Sequence, residues 1–271
     1  MLMSKIFKFL KGISLLVQKP YLINLILKEE GLLASRFKKR FPNLELQEID
    51  VFAWPEAQQI QLKTMSFLSG SSLPTDFALL QVLCSKYQVE NYFEIGTWRG
   101  ESAANVAPFV KQVYTLNLSD AQLKDLGCQD AYIQAHRTFS KDLQNVNHLF
   151  GDSAHFDLSP YEKQMDLIFI DGDHSLEAVR RDTQRMLRLR KNENSILVWH
   201  DAKSDTEYPR YDVLQGIFEG LPQAMHPNVY LVKHALCAVY LPAGHPSTKL
   251  SLHEKPNKVF SVTLKREVFP N

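Results

Sequence analysis

Titratable side chains that could carry out chemistry follow two apolar segments of the chain, at residues 165–170 and 195–199. Carboxylates and imidazoles can take a proton from a reacting hydroxyl, and they can also bind a divalent cation. A buried unpaired charge is costly, so these groups need a cation, a metal ion or each other as partners. One such group alone would more often be structural, but the set indicates function. The set is Asp171, Asp173, His174, His200 and Asp201.

A glycine-containing segment at residues 92–102 could hold a ligand. It reads Tyr-Phe-Glu-Ile-Gly-Thr-Trp-Arg-Gly-Glu-Ser, and alanines and a valine with helical periodicity follow it. This order predicts a strand, a turn at Gly96 and Gly100, and a helix whose first N–H groups face a ligand. A dinucleotide-binding fingerprint needs a glycine where this chain has Trp98, which argues against that type of site.

The elements that position these residues alternate between strands and helices. We predict strands at 91–95, 112–117, 146–150, 165–170 and 195–199, and helices at 101–110, 119–126, 175–190 and 211–219. Such alternation predicts a mainly parallel sheet covered on both faces. Because the carboxyl ends of parallel strands share one edge, Glu94 and the five titratable residues should surround one cleft.

The two ends of the chain follow other patterns. Two β-rich runs at 229–232 and 236–241 are separated by only three residues, which predicts an antiparallel pair. Upstream we predict helices at 21–39, 55–67 and 76–86, the last of them capped by Thr75.

The segment at 94–102 resembles the first motif of class I S-adenosylmethionine (SAM) methyltransferases, and it is most similar to the catechol-type O-methyltransferases. The run 171–174 with the downstream pair at 200–201 resembles the family that includes macrocin and sugar O-methyltransferases. The resemblance covers roughly residues 75–242. It implies an α/β fold that is Rossmann-like and doubly wound, with a mainly parallel seven-stranded sheet and an antiparallel last strand. Residues 1–74 would then form a basic helical extension, and residues 243–271 a C-terminal tail.

The resemblance also implies roles for individual residues. SAM would lie over the glycine loop, and a Mg²⁺-like divalent cation would be held by Asp171, His200 and Asp201. Proton removal would fall to Asp173 or His174, with Asp171 also at the reaction centre. Relatives usually have an acidic residue at the position of Asn117. The cofactor-binding set would be Glu94, Gly96, Thr97, Trp98, Gly100, Ser102, Asn117, Asp152, Ser153 and Asp171.

Charge is balanced over the 271 residues, at +1, but not at the N-terminus. Residues 1–40 carry nine lysines and arginines against two glutamates, and apolar residues lie between the first three lysines. This pattern fits a helix on an anionic membrane surface, or a helix packed on its own domain or on a second copy in a homo-oligomer. Cys84, Cys128 and Cys237 are widely spaced, which argues against disulfides and a zinc cluster and fits a cytoplasmic protein, peripheral at the inner membrane face if the helix binds lipid.

Three functions remain open from the sequence. The first is O-methylation of a hydroxyl on a sugar or small polar metabolite, with metal assistance. The second is methylation of a nitrogen or carboxylate by the same fold without a metal. The third is a catalytically silent methyltransferase-like module that docks through its basic N-terminus. A nucleic-acid partner is not expected, because the basic residues cluster away from the predicted cleft.

Overall fold

One nine-stranded sheet runs through the part of the chain that the computed structural model describes, residues 2–23 and 30–268. In spatial order the strands are β4-β3-β2-β5-β6-β8-β7-β1-β9. Their bounds are β1 Gln47–Ile49, β2 Asn91–Ile95, β3 Gln112–Asn117, β4 Val146–Phe150, β5 Leu167–Ile170, β6 Ile196–Trp199, β7 Val229–Val232, β8 Ala238–Tyr240 and β9 Thr248–Lys249.

Helices cover both faces of this sheet. The helices of the described residues are α1 Leu2–Gln18, which precedes the domain and does not cover the sheet, α2 Glu30–Arg40, α3 Pro74–Tyr87, α4 Glu101–Val106, α5 Asp120–Asp125, α6 Asp130–Ala135, α7 Leu176–Met186 and α8 Tyr211–Gly220. Alternate residues of the central strands face two separate cores. Phe93 of β2 packs in the core that includes α7 and α8, whereas Tyr92 packs in the core that includes α3 and α4. Burial on both faces explains why these strands read as continuous apolar runs.

The predicted doubly wound, mainly parallel fold is confirmed, but seven is the wrong number of strands. The strands from β4 to β7 form the expected seven, and β8 is antiparallel to both of its neighbours. The sheet then continues, because β1 pairs in parallel with β7 and β9 pairs antiparallel with β1. These two strands have three and two residues, too few to show a period in the sequence. A buried ion pair between Glu48 and Lys203, at 2.8 Å, anchors β1.

The helix predicted at 55–67 is wrong. Pro55–Ala57 forms a single 3-10 turn, and residues 60–68 have no regular structure. Side chains of α4 bind this segment instead: Asn105 Nδ2 donates to the carbonyl of Thr64 at 2.7 Å, and Glu101 accepts from the N–H of Ser66 at 2.5 Å. Tertiary contacts therefore replace the helical hydrogen bonds that the local sequence could have made.

Helix α3 begins earlier than predicted, at Pro74, and Thr75 is not its cap. The N-cap position is Leu73, whose N–H donates to the Asp76 carboxylate at 2.8 Å. Helix α6 was not predicted at all.

Of the helix predicted at 21–39, residues 30–39 lie in α2, and residues 24–29 lie outside the described residues. Among the residues that the structure describes, no helix is both long enough and apolar enough to cross a membrane.

Candidate functional site

A cavity of about 980 Å³ lies at the carboxyl ends of β2, β3, β4 and β5. This is the edge at which ligands bind in open α/β sheets. Eight of the predicted site residues line it: Gly96, Trp98, Asn117, Asp152, Ser153, Asp171, Asp173 and His174. The other six do not line it: Glu94, Thr97, Gly100, Ser102, His200 and Asp201.

The two glycines of the loop after β2 are required by packing within the protein. Both have a left-handed backbone, with φ of +94° at Gly96 and +81° at Gly100. A Cβ on Gly96 would lie 1.8 Å from the backbone oxygen of Asp171, and one on Gly100 would lie 2.0 Å from Ser140 Oγ. The space beside these two glycines, which a ligand could have approached, is therefore occupied by other segments of the same chain. The loop after β2 therefore packs at Gly96 directly against the backbone at the end of β5.

Glu94 lies fully buried beneath this loop. Its carboxylate accepts hydrogen bonds from Tyr92 Oη and Thr115 Oγ1, each at 2.8 Å. Burial raises the pKa of Glu94 to about 7, although the hydrogen bonds from Thr115, Tyr92 and Ser102 favour the charged form. The hydroxyl of Thr97 is also buried and bonds to that of Thr115. These side chains fix the loop from below.

An aromatic wall borders the cavity at Trp98. Its ring lies 4.4 Å from Tyr132 and 4.7 Å from His136 between centroids, and the Arg99 guanidinium lies 4.6 Å from its centroid. Tyr132 and His136 come from α6 and the residue after it, and the sequence reasoning missed both. Their i, i+4 spacing on one helical face was the available signal.

The loops after β3 and β4 form the opposite wall. Asn117 Nδ2 donates to the carbonyl of Leu118 at 3.1 Å. Ser153 Oγ donates to Asp182 of α7 at 3.0 Å. Asp152 accepts from the N–H of Ala154 at 2.9 Å, and this bond is the main reason that its pKa lies below the usual value. The turn therefore keeps one charged carboxylate at the cavity.

His200 lies buried among three carboxylates. Its Nε2 is 3.2 Å from Asp76 Oδ2, and its Nδ1 is 3.2 Å from Asp171 Oδ1 and 3.4 Å from Asp201 Oδ1. Burial alone would lower the pKa of His200, but the charges and hydrogen bonds of Asp171, Asp201 and Asp76 outweigh it, so the pKa lies well above the usual value. Without another cation between these groups, the surrounding carboxylates favour the protonated form of His200.

His174 lies at the rim of the same cluster. Its Nε2 is 3.0 Å from Asp201 Oδ2, which Arg210 Nη1 also approaches at 3.5 Å. Because Nε2 is the nitrogen that contacts Asp201, Nδ1 is the candidate nitrogen for accepting a proton. Asp173, the other predicted base, instead accepts from the N–H of Ser175 at the start of α7, at 2.8 Å.

The donors around His200 Nδ1 fit a divalent cation. This nitrogen is buried, has no well-aligned hydrogen-bond partner among the described residues, and faces oxygens of Asp171 and Asp201. Ligands bonded at about 2.1–2.2 Å to an octahedral ion lie about 3 Å apart when adjacent, close to the nitrogen–oxygen spacings here. A second set, Asp76, His200 and Cys237, does not fit, because Asp76 already accepts from the Leu236 N–H at 2.8 Å as well as from Leu73.

Residues 93–202 match the sequence model of a family described as a methyltransferase domain. Among solved structures, the O-methyltransferase from Bacillus cereus in complex with SAH is 20% identical, with a TM-score of 0.45, and the match covers 64% of this chain and 84% of that one. Cofactor-bound Rv0187 from MTB is 21% identical, with a TM-score of 0.43 and coverages of 65% and 83%. No curated protein matches the chain.

The family match includes the glycine loop after β2 and ends just past Asp201. It therefore covers both this loop and the cluster of charged residues around His200. Within the seven strands from β4 to β7, only β8 is antiparallel to its neighbours, as the resemblance in the sequence implied. Residues 93–202 of the chain therefore form a methyltransferase domain.

Proposed function

We propose that this protein transfers the methyl group of SAM to a hydroxyl of a sugar or another small polar metabolite. The observation that carries the proposal is the convergence of Asp171, His174, His200 and Asp201 beside a cavity bordered by the glycine loop. A hydroxyl is a weak nucleophile until its proton is removed, and this cluster offers a base held by a carboxylate.

The cofactor would occupy the cavity between the Trp98 wall and the loops after β3 and β4. Glu94, Thr97, Gly100 and Ser102 would support the loop from below, because they are buried under it. Asn117 and Asp152 would offer polar groups to the ribose and adenine. The methyl group would then face the loop after β5, where Asp171 and His174 line the cavity.

His174 is the better candidate for the base. The Asp201 carboxylate lies 3.0 Å from its Nε2 and would orient the ring, as a carboxylate does for the histidine of a catalytic triad. In the reaction, the acceptor oxygen forms a bond to the methyl carbon as the carbon–sulfur bond breaks. S-adenosylhomocysteine leaves, and the hydroxyl proton passes to His174 Nδ1.

A divalent cation would be held by Asp171, His200 Nδ1 and Asp201, where it would take the place of the Nδ1 proton. When bound, it supplies positive charge that stabilises the developing alkoxide. Asp201 can serve both groups, because Oδ1 faces His200 and Oδ2 faces His174.

The test is a transfer assay with methyl-tritiated SAM and a panel of monosaccharides, nucleotide sugars and catechols, with and without EDTA and added Mg²⁺. We expect transfer to a hydroxyl, loss with EDTA, and a decrease of at least about 100-fold in His174→Gln. Asp173→Asn, one residue away, is the matched control and should stay within a few-fold of wild type.

Other results would select the alternatives. Transfer that is insensitive to EDTA, with label on a nitrogen or carboxylate, would favour the metal-free enzyme. Failure to bind SAM even with micromolar affinity would favour a silent module. In the proposal the catalytic unit spans residues 75–242 and acts in the cytoplasm without nucleic acid, and the flanking segments contribute β1 and β9 to its sheet.

A further inference from the structure

The first helix, α1, presents its apolar residues to solvent. Ile6, Leu10, Ile13 and Val17 follow i, i+4, i+7 and i+11 spacing, which places them in one stripe along the helix. All four are exposed, Leu10 at 58% and Val17 at 76%, and the neighbouring Phe9 is 67% exposed. An exposed apolar stripe of this kind marks an interaction surface.

Helix α2, from the same N-terminal segment, shows what packing on the domain looks like. Phe37 of α2 is 3% exposed, and its ring lies 5.6 Å from Tyr211 and 5.9 Å from Phe218 of α8. The stripe of α1 has no such cover from the described residues. Among the described residues, α1 is therefore not packed on its own domain in the way that α2 is.

The opposite face of α1 is basic. Lys5, Lys8 and Lys11 are spaced by three residues and exposed, and Lys19 follows the helix. The first acidic residue of the chain is Glu29. Seventeen residues of helix span about 25 Å, and with three lysines this helix is too short and too charged to cross a bilayer core of about 30 Å.

We propose that α1 binds the surface of an anionic lipid bilayer. The apolar stripe enters the headgroup region while the lysines contact lipid phosphates, the geometry of interfacial helices. A groove on another protein, or a second copy of this chain, would cover the stripe but would leave four unopposed cations unexplained. An anionic membrane accounts for both faces, and the proposal does not depend on which acceptor the enzyme methylates.

The test is cosedimentation of the full chain with vesicles of phosphatidylcholine, with and without 30% phosphatidylserine. We expect binding only to the anionic vesicles, and weaker binding as salt increases. Leu10→Asn should lower the partition coefficient at least about tenfold. Leu15→Asn is the matched control: Leu15 follows Lys11 by four residues, so it lies on the basic face, and the change is chemically identical.

A second pair of variants tests the charge. Each lysine at an anionic surface contributes about fivefold, so Lys8→Gln with Lys11→Gln should weaken binding by about 25-fold. Lys141→Gln with Lys163→Gln makes the same charge change at exposed positions elsewhere and should have little effect. Unchanged melting temperatures would show that all variants fold.

Three results would overturn the proposal. They are no binding to anionic vesicles at low salt, equal loss in Leu10→Asn and Leu15→Asn, or an oligomer that Leu10→Asn dissociates while lipid binding is absent. The last result would assign the stripe to a second copy of the chain.

Discussion

The two halves of the site are built in different ways. The proposed cofactor half, the loop after β2, depends on backbone geometry: two left-handed glycines pack against Asp171 and Ser140, and the buried carboxylate of Glu94 lies beneath them. The proposed acceptor half depends on charge: one buried imidazole lies among three carboxylates. The first half tolerates little change in shape, and the second little change in charge. Substitutions in the first half should therefore affect folding and SAM binding, whereas substitutions in the second half should affect the rate of methyl transfer.

The largest effect should come from Gly96→Ala. The added Cβ would lie 1.8 Å from a backbone oxygen that cannot move without shifting the end of β5. We expect a loss of more than about 4 kcal/mol in the free energy of unfolding, with no measurable SAM binding. Urea denaturation and calorimetric titration with SAM measure the two losses.

Gly127→Ala is the control for that variant. Gly127 has a similar φ, +80°, but nothing lies within 4 Å of a Cβ built there, so it isolates the backbone cost of about 1 kcal/mol. If both variants lost the same stability, the packing account of Gly96 would be wrong.

In the acceptor half, Asp201→Asn should reduce kcat at least about 100-fold and leave the Kd for SAM unchanged. The amide keeps the volume of the carboxylate but removes the charge that holds His174 and faces His200. Asp201 does not line the cofactor cavity, which is why binding should persist. Asp142→Asn, at an exposed carboxylate, is the control. A parallel loss of SAM affinity would remove the distinction between the two halves.

The cluster of charged residues around His200 could be predicted from the sequence. The packing contacts of the glycine loop could not. Titratable residues directly after buried strands were sufficient to place Asp171, His200 and Asp201 together, because parallel strands share an edge. The reason for Gly96 was not visible, since the contact with Asp171 joins residues 75 positions apart. Tyr132 and His136 were missed for the same reason, because only the tertiary fold brings them to Trp98.

The strands were predictable where they have at least four residues. The bounds of β2, β3, β4 and β7, which have four to six residues each, agree with the prediction. β1 and β9 form only because β7 offers an edge, and no local pattern encodes that. The individual roles of the site residues stay predictions until the variants are measured.

Glu94 offers a third, smaller test, because it is the fully buried carboxylate beneath the glycine loop. The unfolded pKa of 4.5 rises to about 7 on folding, so the folded state holds more protons between these values. Stability without SAM should therefore fall by up to about 3 kcal/mol as the pH rises from 4 to 8. Glu94→Gln should flatten this part of the curve in urea denaturation at several pH values. A slope retained in the variant would assign the effect to other groups.

The smallest effect should come from Asn117→Asp. Asn117 lines the cavity at the end of β3, where the resemblance in the sequence implies an acidic residue that binds the ribose hydroxyls. Hydrogen bonds to a charged acceptor are stronger than those to an amide by about 1 kcal/mol, so the Kd for SAM should fall by about fivefold. Asn147→Asp, at an exposed position on the neighbouring strand β4, controls for the added charge. Weaker SAM binding in Asn117→Asp alone would mean that the shape of this wall, rather than its charge, determines the affinity for SAM. The proposed cofactor half would then depend on shape throughout, as the glycine loop does.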